Sequence, residues 1–319
     1  MTTFKEIRGT AIQSVSSDPS NPEEGQIWYN NFSGALKGYK TVNAWSAGGN
    51  LNTARHGLAG AGTQSATLVF GGQVGPTAQT ATEAYNGIAW TNGGALNTGR
   101  SNLAGAGTQT AGLAFGGFPQ RTQSESYNGT SWTNTPSLNT GRARLAGAGI
   151  QTSALAFGGD SGGPGTPVNS TSTEKYNGTA WTASGNLNTG RDSLGGCGTQ
   201  TAALAFGGSP LLTSTELFNG TAWTANPTGL NTGRGEVAGA GTQTAGLAFG
   251  GISPSATGAT ELFNGTTWTT SPGSMSTARS LLAGAGTQTT AIGAGGNTTT
   301  SVANTEEWTG VGIQTITVS

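Results

Sequence analysis

The sequence predicts an all-β chain in which four-stranded antiparallel blades stack radially into one β-propeller, and three observations carry that expectation. A unit of 42 to 49 residues recurs through most of the chain, its double glycine falling at Gly71, Gly116, Gly158, Gly207, Gly250 and Gly295. Trp45, Trp90, Trp132, Trp181, Trp223 and Trp268 keep nearly the same interval. Short turn signals divide each unit into four strand-length pieces, and side-chain size grows from the first piece to the last. Repeats of this length that cannot bury both faces alone must bury them against each other.

Taken in order, the unit beginning at Asn102 reads as strand A (102–107), strand B (110–115) ending at Gly116-Gly117, strand C (123–127) and strand D around Trp132. Asn128-Gly129 is a two-residue hairpin signal between C and D. Strand A is built from Leu, Ala and Gly, as in LAGAG at 58–62, which suits a crowded axis. Aromatic residues such as Tyr85 and Trp90 lie in C and D, where radiating blades diverge and leave volume to fill.

Six units are plain, and residues 1–50 add GQIWYN, ALKGYK and VNAW, with TAIQSVSS at 10–17 as a further strand. Because 319 residues divided by 45 is close to seven, seven blades are expected, with six blades plus an N-terminal attachment segment as the alternative. On either count residues 1–50 are a divergent first blade or attachment segment, and residues 51–319 hold the six repeats. TEEWTG at 305–310 repeats the strand C pattern, and Ile313 falls in the tryptophan register, so the tail either completes the last blade or closes the ring.

Composition narrows the function. There are 57 glycines, threonine, serine and asparagine together number 104, and charged residues are only 8%. Thirteen Lys and Arg nearly cancel 14 Asp and Glu, so no cationic field is present to hold a phosphate backbone, and nucleic acid is not an expected partner. One cysteine and one histidine exclude a disulfide framework and the usual zinc sites. The opening MTTFKEIRGTAIQSV reads as neither a secretory leader nor a membrane span, and no long apolar stretch follows. No cofactor is expected.

Six arginines recur just before strand A: Arg55, Arg100, Arg142, Arg191, Arg234 and Arg279. Six glutamates recur at the start of strand C: Glu83, Glu125, Glu174, Glu216, Glu261 and Glu306. An antiparallel meander puts both starts at one end of a blade, so bidentate structural ion pairs are expected, with an anion-binding arginine ring as the lesser alternative. His56 follows Arg55, and its counterparts Ser101, Ala143, Asp192, Gly235 and Ser280 form no histidine ring. Cys197 replaces an alanine of LAGAG and reads as a small buried strand residue. The Asn-Gly pairs at Asn86, Asn128, Asn177, Asn219 and Asn264 read as turns rather than glycosylation acceptors.

The turns joining A to B and C to D barely change along the chain, while the B–C loops vary in length and composition. A rigid scaffold with one diversified rim is a common way to present binding groups. Phe118, Arg121, Asp160, Leu211 and Leu212 on these loops are the expected contacts with a glycan or protein surface. The separated acids Asp160, Asp192 and Glu236 give no ground for catalysis, and a non-enzymatic role is expected.

The rhythm of FGG at 115–117, then Tyr127 and Trp132, resembles the Kelch repeat over about residues 51–310. The unit departs from it in reading TExYNG or TExFNG, in a nearly featureless strand A and in its scarcity of charge. Together with DPSNPEEGQIWYNNFSGALKGYK at 18–40, the array is similar to virion or tail-associated proteins of tailed phages, particularly those of marine cyanobacteria. That resemblance implies synthesis in a host cytoplasm, a place on the tail or capsid surface, and neighbouring virion proteins or a host-surface glycan or protein as partners. A capsid decoration protein without receptor binding and a cellular Kelch-type interaction scaffold are the competing readings.

Overall fold

The computed structural model describes residues 12–20, 26–119, 121–163 and 166–315. The first eleven residues, with most of the stretch read as lacking a leader, and the final ITVS lie outside them. The chain divides into two compact units, Met1–Asn43 with Thr309–Ser319, and Ala44–Trp308. No helix among the described residues is long and apolar enough to cross a membrane.

The larger unit repeats one antiparallel sheet. The second sheet shows the pattern: Ala104–Gly107, Gly112–Phe115, Ser124–Tyr127 and Trp132–Thr135, in sequence order from inside outward. The inner strands His56–Thr63, Ala104–Gly107, Ala146–Ile150, Gly195–Gly198, Ala238–Gly241 and Ala283–Gly286 each lie against the next, and the last lies against the first. The arrangement is propeller-like, and the described residues form six sheets rather than the expected seven. No seventh blade fits, because the sixth inner strand already touches the first.

Closure explains the miscount. The sixth sheet runs Ala283–Gly286, Thr290–Ala294, Thr305–Thr315 and Ala35–Ala47 before continuing into Ile27–Asn30 and Gln13–Val15, so its fourth strand comes from the N-terminal side of the repeats. Trp45 takes the place that Trp268 takes one sheet earlier: its indole N–H donates to Thr260 Oγ1 at 2.9 Å, as Trp268 donates to Thr215 Oγ1 at 2.9 Å. Trp45 also packs on Phe249 and Trp308, at 4.9 and 5.5 Å between ring centroids. VNAW is thus the missing outer strand of the last blade rather than part of an additional one.

Packing at the axis is backbone against backbone. A Cβ on Gly105 would lie 3.0 Å from Gly60 O and 2.7 Å from Phe70 Cζ, and one on Gly147 would lie 2.7 Å from Gly105 O. Outward, five of the six gaps between sheets hold an aromatic pair, such as Phe115 with Trp181, 5.0 Å apart, and the gap between the sixth and first sheets has Trp90 with Ile292 and Ala294 instead. The Asn-Gly turns close locally: Asn128 Oδ1 accepts from the backbone N–H of Thr130 and Ser131, and Gly129 adopts φ +92°. The other four Asn-Gly pairs repeat this bonding.

In the smaller unit, Gln13–Val15 pairs in parallel with Ile27–Asn30, which runs antiparallel to residues 35–38. Asp18 accepts hydrogen bonds from Trp28 Nε1, Asn30 Nδ2 and Lys37 Nζ, which together hold its carboxyl down at about 2.

Candidate functional site

Every Arg of the repeat pairs with the Glu of its own sheet. Arg142 Nη2 donates to Glu174 Oε1 at 2.9 Å, and its Nη1 donates to the carbonyls of Gly158 and Ser172 at 2.9 and 2.6 Å. The second carboxylate oxygen serves the preceding loop, accepting from Asn139 N at 2.7 Å and Asn139 Nδ2 at 2.8 Å. The pair is therefore a junction of three chain segments rather than a bidentate fork. All six arginine side chains are fully buried, so they cannot form an anion-binding ring. Burial pulls their guanidinium pKa values down while each glutamate opposes the shift, to about 10 for Arg100 and Arg279. The sixth pair is the loosest, with Arg279 Nη2 3.3 Å from Glu306 Oε1 and Nη1 lacking a partner.

The turns between the first two strands carry a function that sequence reasoning passed over. Gln151 Nε2 donates to the carbonyls of Gly112 and Tyr127 in the preceding sheet, at 3.0 and 2.6 Å. Gln64, Gln109, Gln200, Gln243 and Gln288 do the same around the ring. The constant GTQT or GIQT is a staple between blades, and its near-invariance within the chain was the available signal.

At the opposite end, two residues sit between each buried Arg and the following Leu or Val. The first bridges back to the residue after the double glycine, as Asp192 does to Ser209. The second residues, Gly57, Asn102, Arg144, Ser193, Glu236 and Leu281, all have φ between +51° and +62°. Their backbones form a closed belt in which each N–H donates to the carbonyl of the preceding member, from Asn102 N to Gly57 O at 2.7 Å round to Gly57 N to Leu281 O at 2.8 Å. Five residues with side chains hold a left-handed conformation that usually calls for glycine. The belt frames the axial mouth above a collar of Leu58, Leu103, Leu145, Leu194, Val237 and Leu282. Scaffold positions on either side are nearly constant, yet the two-residue insert reads HG, SN, AR, DS, GE and SL. That local contrast could have located the mouth from the sequence.

Beside the mouth, a groove of about 370 Å³ opens between the third, fourth and fifth sheets. Arg144, Asp192, Ser193 and Glu236 line it together with Pro210, Leu211, Ile252 and Pro254. Arg144 Nη1 stands 3.7 Å from Asp192 Oδ2.

The anticipated contact residues are spread over three sheets. Phe118 and Leu211 are each 41% exposed, and Arg121 and Leu212 are half-buried. Of these, Leu211 lines the groove. Asp160 differs from expectation: it is buried, and its Oδ1 accepts from the backbone N–H of Gly162 and Val168 at 2.9 and 2.8 Å, so it shapes its own loop. His56 is held at the mouth between Ser301 Oγ and Gln73 Nε2, both 2.8 Å away. Desolvation lowers its pKa, partly opposed by the charge of Glu236. Cys197 is buried in an inner strand, and burial pushes its thiol up to about 12. No cluster of three or more potential metal ligands occurs among the described residues. The sequence matches no protein-family model and no curated protein.

Proposed function

We propose that the protein is a non-enzymatic recognition module, a six-bladed Kelch-like propeller carried on a phage virion, whose mouth face contacts a host-surface glycan or protein or a neighbouring virion component. The observation that supports this reading is the contrast between its two ends. One end repeats the same Gln staples and Asn-Gly turns sheet after sheet, while the other sets different side chains on an equally regular backbone belt. Fixing the backbone while varying the groups it displays is how a rigid scaffold presents a specific surface. The Kelch-like rhythm and the N-terminal DPSNPEEGQIWYNN favour the virion setting.

The test uses purified full-length protein and intact cyanobacterial cells, with mass spectrometry of purified phage particles alongside. Binding to cells or incorporation into particles is expected to fall on replacing Phe118 and Leu212 by Ser and to survive replacing Asn177 and Asn219 by Asp at the opposite end. Loss of binding only in the second pair would assign the wrong face, and absence from both cells and particles would remove the virion reading.

A further inference from the structure

Charge is rare in this chain, which makes its placement informative. Between Ala44 and Trp308 the charges outside the six Arg–Glu pairs are Arg121, Arg144, Asp160, Lys175, Asp192, Glu236 and Glu307. Three of these seven, Arg144, Asp192 and Glu236, line the one groove beside the mouth. They come from three successive sheets and from the same two-residue insert, so the fold brings them together although 92 positions separate the outer two.

Their carboxylates lack the hydrogen bonds that the scaffold glutamates make. Asp192 is only 4% exposed, yet its carboxylate makes no hydrogen bond among the described residues, and Arg144 at 3.7 Å is its sole ion-pair partner. Glu236 makes neither a hydrogen bond nor an ion pair with its side chain among the described residues, and Arg144 is 43% exposed. No oxygen of either carboxylate is among the fully buried unpartnered atoms, so both groups meet water in the groove, and a ligand that displaces that water has to supply donors in its place. The groove therefore presents two carboxylates and a guanidinium whose hydrogen-bonding capacity is left largely to water.

We infer that this groove is a binding site for a neutral pyranose unit of a saccharide, a deduction that rests on the recognition reading above and specifies its ligand. An ammonium group would satisfy a carboxylate but leave Arg144 without an acceptor. An acidic sugar would satisfy Arg144 but bring a third negative charge against Asp192 and Glu236. A hydroxyl both donates and accepts, so neighbouring hydroxyls on one ring answer the carboxylates and the guanidinium together. Pro210, Leu211, Ile252 and Pro254 among the lining supply apolar surface for the C–H faces of the ring. The groove's 370 Å³ falls at the low end of ordinary small-molecule sites, roughly 300–1,000 Å³, and suits one or two sugar rings.

Titration calorimetry and saturation-transfer NMR of the full chain test the assignment with lactose, cellobiose and mannobiose as neutral probes and digalacturonate as the acidic one. At least one neutral disaccharide is expected to bind, and more tightly than digalacturonate. Asp192→Asn and Glu236→Gln are expected to weaken that binding by about 10- to 100-fold, the usual consequence of losing a hydrogen bond to a charged group. Arg144→Gln alters an exposed side chain and gives a third reading should the buried variant misfold. Asn219→Asp, at the opposite end, is expected to bind as the native protein does. Failure of every neutral disaccharide to bind, equal or tighter binding of digalacturonate, or native affinity in the groove variants would overturn the site. If mouth-face variants still abolish attachment to cells while no disaccharide binds or competes, only the sugar assignment fails. If disaccharides bind and attachment is absent, the groove stands and the virion reading fails.

Discussion

The same short stretch of each repeat holds two populations of charge with opposite treatment. Arg142 and Glu174 are buried together and surrounded by fixed donors and acceptors, so three bonds from the guanidinium and two to the second carboxylate oxygen tie one sheet to its entering loop. Two positions after Arg142, Arg144 reaches the groove with a single 3.7 Å charge contact. The difference lies in what surrounds each group rather than in residue type. Charges that hold the fold are supplied with partners by the fold, whereas charges that recognise something else have partners left to be supplied.

Removing a clamp should produce the largest effect. Arg142→Ala leaves Glu174 buried without its cation, and breaking a buried pair from one side costs about 3–5 kcal/mol. Thermal and denaturant unfolding should show that loss. Arg279→Ala should cost less, because Arg279 starts with a longer contact to Glu306 and, beyond the Nε that Arg142 also leaves unpartnered, an Nη1 without a partner among the described residues. Equal losses in the two variants would mean that hydrogen-bond completeness does not set the strength of these clamps.

The blade pattern was legible because each strand carries its own signal: Asn-Gly at the outer hairpin, double glycine after the second strand, small residues at the axis and Trp at the outer edge. The blade count was not legible in the same way. VNAW looks like an extra outer strand until the sixth sheet is seen to lack one, and only a closed ring makes the two ends of the repeat array complementary. The Arg–Glu pairing could be anticipated from meander geometry, but the sharing of Glu174 between Arg142 and Asn139 could not, since it depends on where the LNTGR loop folds back. Asp160 shows the opposite limit. A polar residue in a variable loop reads as a surface group, yet its short side chain reaches the backbone of Gly162 and Val168 and becomes the loop's internal support. Asp192 and Glu236 read as separated acids with no ground for catalysis, and Arg144 carries no signal of its own, because the three are isolated in sequence and meet only when three sheets stand side by side.

The backbone belt sharpens the comparison at a smaller scale. Ser193 holds φ +53°, while Gly57 occupies the equivalent place without a side chain. A left-handed conformation costs an L-residue roughly 1–2 kcal/mol, partly offset by the greater freedom that glycine loses on folding, roughly 0.5–1 kcal/mol. Ser193→Gly is therefore expected to raise stability by about 0.5–1 kcal/mol in chemical denaturation, a gain set by these two conformational costs. A destabilised Ser193→Gly protein would show that the serine side chain supports the belt rather than being imposed upon it.

Asp192→Asn should change stability least, and it bears most directly on the division between clamp and groove. The carboxylate is as buried as those of the clamps, so burial alone would predict a similar penalty. Bonding predicts otherwise: no hydrogen bond is lost, and the one ion pair involves a partner that is 43% exposed and screened by water. Pairs of that kind contribute roughly 0.2–1 kcal/mol. The Asp192 oxygens are not among the fully buried unpartnered atoms, so water in the groove can serve an amide there as it serves the carboxylate. The unfolding midpoint of Asp192→Asn should accordingly stay within about 1 kcal/mol of the native protein, small beside the loss in Arg142→Ala. A loss as large as that of Arg142→Ala would place Asp192 among the clamps, and the groove would then be a crevice between loops whose charges serve the fold.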